Sequence, residues 1–130
     1  MSQDERRVVS IVDDDESLRR SVRNLLTSVG FRVETFESAE AFLESAERGR
    51  TGCVVLDLRM PGMSGLDLLG HLAATGSRIP VIILTAHSDD EIRRRTLQAG
   101  AVAHLGKPFH GEALLGAVRK ALAEAGPRRP

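Results

Sequence analysis

The most informative part of the sequence is the run Gly52-Cys53-Val54-Val55-Leu56-Asp57-Leu58-Arg59-Met60-Pro61-Gly62. Its apolar residues lead without interruption to an acid, which is typical of a strand buried on both faces. Pro61 has no N–H to donate and restricts the residue before it, so the strand must end ahead of it. Asp57 is therefore expected where a buried strand gives way to a loop. Ligands bind at that edge of open parallel sheets, although an acid there can equally be a loop residue or a helix N-cap.

The composition restricts the kind of protein. The chain has 130 residues, with 18 basic and 18 acidic side chains and no formal net charge. This length suits a single domain with its own core. A balanced charge argues against nucleic acid or a membrane surface as the main partner, because both favour a basic excess. Four Phe without Trp or Tyr also argue against a base-stacking platform.

The sequence predicts a soluble, cytoplasmic protein. Its single cysteine, Cys53, lies inside the apolar run and is expected to be a small core residue, which suits a reducing compartment. No apolar stretch approaches the length of a membrane span, and the N-terminal residues lack the core of a signal peptide.

Five strand-helix units follow one another along the chain, beginning near residues 8, 31, 53, 80 and 102. Ser38 and Ser64 are expected to cap helices, and Ser88 with Glu91 fits a capping box. Right-handed crossovers between such units give a parallel sheet with helices on both faces. A glycine follows each predicted helix: Gly30, Gly49, Gly76, Gly100 and Gly126.

The predicted fold class is therefore α/β, with a single five-stranded parallel sheet of order 2-1-3-4-5 and five helices, as in flavodoxin-like proteins. One domain is expected over residues 1–130, with a core at about 6–124. Residues 125–130 would form a frayed tail or the start of a linker.

Polar side chains stand at the ends of the predicted central strands. Asp13 and Asp14 follow the first strand, Asp57 the third, Thr85 the fourth and Lys107 the fifth. In the order 2-1-3-4-5 all five converge on one crevice, where the first and third strands flank the reversal of winding. Taken singly, each has an ordinary explanation as a helix N-terminal acid, a β-branched strand residue or a solvated lysine.

Three carboxylates in one crevice repel one another, and two like charges about 4 Å apart cost roughly 4 kcal/mol at an effective dielectric of about 20. Lys107 supplies one positive charge, and a divalent ion held by oxygen ligands would supply more. The expected cofactor is Mg²⁺ or Mn²⁺, because no His or Cys lies beside the acids to favour zinc. With such an ion, Lys107 and the Thr85 hydroxyl nearby, Asp57 is suited to act as the nucleophile in phosphoryl transfer.

Four segments in this order closely resemble the receiver domain of two-component response regulators. Each is weak alone, but their combination at this spacing is specific, and the resemblance covers about residues 6–124. The Asp57 and Lys107 segments are most similar to receivers of the nitrogen-fixation regulator type, which usually carry a C-terminal helix-turn-helix domain. The segments are Val12-Asp13-Asp14, Asp57 to Gly65, Leu84-Thr85-Ala86 and Lys107-Pro108-Phe109.

The resemblance implies that Asp57 accepts a phosphoryl group from a histidine kinase or phosphotransfer protein. Asp13 or Asp14, Asp57 and the backbone carbonyl of Arg59 would bind Mg²⁺. Thr85 would swing to the phosphoryl group and Lys107 would pair with it. Phosphorylation would switch the surface formed by the fourth helix, fifth strand and fifth helix, a switch that can produce a homodimer.

One position departs from the family pattern. Receivers place a switching aromatic residue three positions before the lysine, where this chain has His104. Either the switch is weaker or pH-sensitive, or His104 is a half-exposed strand residue without a signalling role. Arg59 and His87 occupy positions that tune the loss of phosphate in the family, unless they are ordinary exposed loop residues.

Other functions were weighed against a signalling phospho-acceptor. A phosphatase of the haloacid dehalogenase type needs a second Asp two residues after the nucleophile, where this chain has Arg59. A phosphate-independent interaction domain would not need all five polar positions to be filled. A nucleotide-binding flavodoxin-like protein would need a glycine-rich loop after the first strand. The favoured prediction is a domain that is not an enzyme and catalyses only its own phosphorylation and dephosphorylation.

Overall fold

The computed structural model describes residues 8–45 and 49–125, with the backbone alone for residues 124 and 125. Its five strands are parallel and form one sheet in the order β2-β1-β3-β4-β5, so the predicted fold class is confirmed. The strands are β1 (Val8–Val12), β2 (Arg32–Phe36), β3 (Thr51–Leu56), β4 (Val81–Thr85) and β5 (Ala103–Gly106). The helices are α1 (Glu16–Ser28), α2 (Ala39–Glu44), α3 (Gly65–Ala74), α4 (Asp90–Gln98) and α5 (Gly111–Ala125).

Two apolar layers cover the two faces of the sheet, because successive residues of a strand point to opposite sides. On one side Cys53 and Val55 of β3 pack with residues of α1 and α5. On the other side Val54 and Leu56 pack with residues of α2 and α3. Because helices cover both faces of the sheet, every residue of β3 from Cys53 to Leu56 is apolar. Cys53 is a buried core residue, as expected.

The helix starts follow the predicted capping residues with one exception. The Ser38 hydroxyl accepts a hydrogen bond from the Ala41 N–H, and Ser64 forms a reciprocal capping box with Asp67. The capping box predicted for Ser88 is wrong. The N-cap of α4 is Asp89, because Asp89 adopts extended backbone and its carboxylate accepts from the Ile92 N–H at 2.8 Å.

Several predicted boundaries shift by a few residues. α2 ends at Glu44 rather than just before Gly49, because the backbone of its C-cap, Ser45, turns to an extended conformation with ψ of 139°. β4 begins at Val81, one residue after the start predicted near residue 80. Of the predicted tail at residues 125–130, Ala125 is the last residue of α5, and residues 126–130, including Gly126, lie outside the described residues.

No helix in the described ranges combines the length and apolar character that crossing a bilayer requires.

Candidate functional site

Asp57 is the first residue after β3, where the strand leaves the sheet. Its backbone N–H donates at 3.0 Å to the carbonyl of Val12, the last residue of β1. Its Oδ1 accepts from the Leu58 N–H at 2.7 Å, and the residue is only 7% exposed. Because Oδ1 is engaged with the backbone, the carboxylate has a fixed orientation, and Oδ2 is the atom that meets Lys107.

Asp13 and Asp14 occupy the equivalent place after β1. Asp13 is 2% exposed, and its Oδ1 accepts from the Asp15 N–H at 2.9 Å, whereas Asp14 is exposed. Each of Asp13, Asp14 and Asp57 offers a carboxylate oxygen within 4.8 Å of the other two. Asp15 instead serves as the N-cap of α1. The roles of Asp13, Asp14 and Asp57 as ion ligands stay predictions.

Lys107 bridges the two buried acids. Its backbone N–H donates to the Thr85 carbonyl at 3.0 Å, which fixes the start of the side chain at the end of β5. Its Nζ lies 2.9 Å from Asp13 Oδ2 and 3.4 Å from Asp57 Oδ2. The structure therefore brings four of the predicted site residues into one cluster, here called the acidic pocket: Asp13, Asp14, Asp57 and Lys107.

The electrostatics of the acidic pocket favour an additional cation. Burial raises the pKa of Asp13 and outweighs the hydrogen bonds from Asp15 and Lys107 that lower it. Burial also lowers the pKa of Lys107, but its bonds and charge interactions with Asp13 and Asp57 outweigh burial and leave the pKa raised. Both pKa values are raised, which disfavours the charged form of Asp13 and favours the charged form of Lys107. The Asp13 side chain is 3% exposed, whereas that of Lys107 is 17% exposed. Desolvation therefore falls more heavily on the acid.

The residues present fit a hard divalent ion. Three carboxylates and one ammonium leave two excess negative charges when all four groups are ionised. Their donors are oxygens, which suit Mg²⁺ or Mn²⁺, whereas zinc favours imidazole and thiolate ligands. The acidic pocket could therefore bind a metal ion.

Gly65 is a site residue that the sequence reasoning did not single out. A Cβ at this position would lie 2.2 Å from the carbonyl oxygen of Asp57 and 2.8 Å from Leu58 Cα. The Gly65 N–H donates to the Leu58 carbonyl at 2.9 Å, so α3 starts directly against the loop that carries the acid. The available signal was the glycine immediately after the capping residue Ser64.

Two long side chains also hold the loops of the acidic pocket and were missed. Arg19 on α1 donates from Nη1 to the Asp13 carbonyl at 2.7 Å. Glu40 on α2 accepts from the Met63 N–H at 2.8 Å, and so ties α2 to the loop after Asp57. Arg19 reaches Asp13 because the first turn of α1 orients it, and Glu40 reaches Met63 only in the folded chain. No sequence motif predicts either contact.

Thr85, Arg59 and His87 lie at the same edge of the sheet. Thr85 ends β4 and is fully buried, and its hydroxyl accepts from the His87 N–H at 3.2 Å. Arg59 and His87 are exposed loop residues. Their predicted tuning roles stay predictions.

His104 lies on β5 as predicted, but the alternative of a half-exposed residue is wrong. It is 3% exposed, because its ring is enclosed between β5, α4 and the β4–α4 loop. Its Nδ1 lies 2.8 Å from Thr96 Oγ1 and its Nε2 lies 3.0 Å from Ser88 Oγ. Burial lowers the pKa of His104, and the positive charge of Arg93 lowers it further.

A parallel sheet of this order, with paired acids and a lysine at its winding reversal, defines a receiver domain. The family model for the response regulator receiver domain matches residues 9–119, and the chain belongs to that family. It is thus a receiver domain of two-component signal transduction, as the resemblance implied.

Among curated relatives, the response regulator protein TmoT of Ectopseudomonas mendocina is 44% identical over 119 residues, covering 92% of this chain and 54% of the relative. The transcriptional regulatory protein FixJ of Bradyrhizobium diazoefficiens is 39% identical over 119 residues, covering 92% and 58%. The chain spans about half the length of the curated relatives it matches.

Solved structures agree with this assignment. The response regulator StyR superposes with a TM-score of 0.83 at 47% identity, covering 91% of this chain and 60% of the other. The structure titled FixJ-N gives a TM-score of 0.84 at 40% identity, covering 95% and 98%.

Proposed function

We propose that this receiver is a phospho-acceptor in which Asp57 takes a phosphoryl group from a histidine kinase or a phosphotransfer protein in a reaction that depends on Mg²⁺ or Mn²⁺. The observation that carries the proposal is the position of Asp57 Oδ2. It faces Lys107 Nζ inside the acidic pocket, while Oδ1 is held by the backbone.

The chain's own groups supply most of the chemistry. Asp57 Oδ2 attacks phosphorus, so that an O–P bond forms as the bond from phosphorus to the donor nitrogen breaks and its electron pair returns to the donor. Lys107 keeps its proton, because its pKa is raised, and its ammonium neutralises charge on the transferring oxygens. The Thr85 hydroxyl accepts from His87 and still has its own proton to donate to a phosphoryl oxygen.

Asp13 or Asp14, Asp57 and the backbone carbonyl of Arg59 would hold the divalent ion. When bound, the ion neutralises part of the negative charge of the transferring group. The same acids without a cation repel one another, which supports an ion-dependent reaction.

The domain acts as a signalling switch and not as an enzyme with a separate substrate. The position two residues after Asp57, which an aspartate-nucleophile phosphatase fills with an acid, is occupied by Arg59. Arg59 and His87 are exposed in the loops that follow β3 and β4, and they set how fast water removes the phosphoryl group. A slow reaction with water leaves the signal in place long enough to be read.

The output surface is formed by α4, β5 and α5, and phosphorylation of Asp57 changes this surface so that it favours a homodimer. His104 of β5 is buried beneath this surface, where its ring contacts Thr96 of α4. The receiver itself binds neither nucleic acid nor a membrane, and a longer protein would supply a DNA-binding output. The domain spans residues 1–130, with its core at about 6–124. A cytoplasmic location fits the free, buried thiol of Cys53.

The test is intact-mass measurement after incubation with acetyl phosphate and Mg²⁺. We expect a gain of one phosphoryl group in the wild type and none in Asp57→Asn. The matched control is Asp90→Asn, which removes an exposed acid in the first turn of α4 and should leave the gain unchanged. An adduct that persists in Asp57→Asn would contradict the proposal.

A further inference from the structure

Three polar side chains form a hydrogen-bonded group between β5, α4 and the β4–α4 loop. His104 of β5 contacts Thr96 of α4 through Nδ1 and Ser88 of the β4–α4 loop through Nε2. We call this group, His104 with Thr96 and Ser88, the histidine bridge. His104 and Thr96 are buried, and Ser88 is exposed. The histidine bridge therefore joins three separate parts of the chain at one ring.

The hydrogen positions in the histidine bridge follow from counting protons. The Thr96 hydroxyl also donates to the Arg93 carbonyl at 3.0 Å. A hydroxyl has one proton, so this bond leaves Thr96 with none to donate to His104. If all three contacts are bonds at once, Thr96 must accept from His104 Nδ1–H. In the neutral ring Nε2 is then unprotonated and accepts from the Ser88 hydroxyl.

The histidine bridge reaches the segment that carries Thr85. Ser88 follows Thr85 by three residues, and between them the His87 N–H donates to the Thr85 hydroxyl at 3.2 Å. The Thr85 carbonyl accepts from the Lys107 N–H, so the start of the segment is tied to the end of β5. The segment is thus held at its start by backbone and at its end by an imidazole ring. A displacement of Thr85 toward Asp57 acts on the same short piece of backbone that Ser88 anchors.

We propose that His104 is a positioning residue that holds the β4–α4 loop through Ser88 and ties it to α4 through Thr96, so that phosphorylation of Asp57 and release of Ser88 are coupled. The coupling rests on the proposed function, because it requires Thr85 to respond to a phosphoryl group. The holding of the loop does not. Since the bond to Ser88 stabilises the unphosphorylated arrangement, its loss should favour the phosphorylated one, and the two effects must be reciprocal.

The first test concerns the histidine bridge in the resting protein. The ring ¹⁵N resonances of His104 should report a neutral ring protonated at Nδ1 and not at Nε2. Backbone hydrogen exchange at residues 86–89 should be faster in Ser88→Ala than in the wild type, and Ser88→Thr should restore the slow exchange. The matched control is Ser28→Ala, which removes an exposed hydroxyl near the end of α1. A ring protonated at Nε2 would contradict the assigned directions of the two bonds, and equal exchange in Ser88→Ala and the wild type would overturn the proposal.

The second test measures the coupling, with beryllofluoride and Mg²⁺ as the probe of the phosphorylated state. Ser88→Ala should bind the probe about fivefold more tightly than the wild type, which corresponds to one net hydrogen bond. Ser88→Thr should return the affinity to the wild-type value, and Ser28→Ala should not change it. Equal affinity in Ser88→Ala and the wild type would overturn the coupling. Failure of the wild type to bind the probe would instead contradict the proposed function, and the resting-state test would still decide whether His104 holds the loop.

Discussion

At the scale of single residues, the geometry of the acidic pocket depends on backbone hydrogen bonds that fix the orientation of its side chains. Asp57 has one oxygen fixed by the Leu58 N–H and Asp13 has one fixed by the Asp15 N–H. Lys107 contacts the remaining oxygen of each acid. Both acids therefore present a single oriented oxygen to the same ammonium, an arrangement that a motif in the sequence suggests but cannot specify.

Substitution at Gly65 should disturb this arrangement from outside the acidic pocket. In Gly65→Ala the new Cβ would lie 2.2 Å from the Asp57 carbonyl oxygen, so the loop must shift. We expect a loss of about 1–3 kcal/mol in the free energy of unfolding, as for other overpacked sites, and slower phosphorylation of Asp57. Urea denaturation and a phosphorylation time course measure the two effects.

Gly70→Ala is the matched control, because it lies in the same helix with nothing within 4 Å of an added Cβ. It should stabilise the protein by up to about 1 kcal/mol. Equal effects of the two substitutions would show that the close approach at Gly65 does not constrain the loop.

Removal of one buried acid should stabilise the protein without the ion and weaken binding of the ion. Burial disfavours the charged form of Asp13, so Asp13→Asn should raise the free energy of unfolding in the presence of a chelator. In the wild type, Mg²⁺ at about 100 times its Kd should add roughly 2.7 kcal/mol, and the variant should lose most of this gain. Thermal unfolding with and without Mg²⁺ measures both, with Asp90→Asn as the control. An equal response of Asp13→Asn and the wild type to Mg²⁺ would remove Asp13 from the ion site.

At the scale of elements, the strands and most helix starts could be predicted from local chemistry. The apolar run of β3 is uninterrupted because helices cover both faces, and Ser38 and Ser64 cap helices through their own hydroxyls. Ser88 does not cap α4, and its hydroxyl instead contacts His104, which lies 16 residues away in the sequence. A capping pattern records which residues can cap, whereas tertiary contacts decide which one does.

The link between β5 and α4 should make stability depend on pH. The unfolded histidine titrates near 6.5, whereas burial and the positive charge of Arg93 lower the pKa of folded His104. Between the two values the unfolded chain binds more protons, so the free energy of unfolding falls as the pH decreases below 6.5. Within the described residues, the hydroxyls of Thr96 and Ser88 lie within hydrogen-bond distance of the ring, and the Arg93 side chain donates to the His104 carbonyl.

His104→Phe should remove this part of the pH dependence, which is at most about 1.4 kcal/mol per pH unit for one group. Urea denaturation of both proteins between about pH 5 and pH 7, the range in which histidine titrates, provides the measurement. Identical slopes against pH in the two proteins would mean that His104 does not contribute.

At the scale of the whole molecule, the sheet order brings distant parts of the sequence together. β1 and β3 are neighbours, so acids 44 residues apart in sequence, Asp13 and Asp57, share one edge. This placement could be predicted because strand-helix alternation leaves few topologies. The contacts of Arg19 and Glu40 with the loops could not, because long side chains at helix surfaces have many alternative partners before the chain folds.

Communication from the acidic pocket to the surface of α4, β5 and α5 should change with the residue at position 104. His104→Phe removes the ring nitrogens that hold Ser88 and Thr96, so phosphorylation-dependent dimerisation should become stronger. Sedimentation of phosphorylated and unphosphorylated protein measures the effect. If the two proteins associate to the same extent when phosphorylated, His104 does not limit the switch.

The central claim is that Asp57 becomes phosphorylated inside an acidic pocket that requires a divalent ion. The most direct measurement is the mass of the intact protein over time with acetyl phosphate, in buffer containing Mg²⁺ and in buffer containing a chelator. The account predicts one added phosphoryl group with Mg²⁺, almost none with the chelator, and none in Asp57→Asn under either condition. The same adduct in the chelator, or on the Asp57→Asn variant, would contradict it.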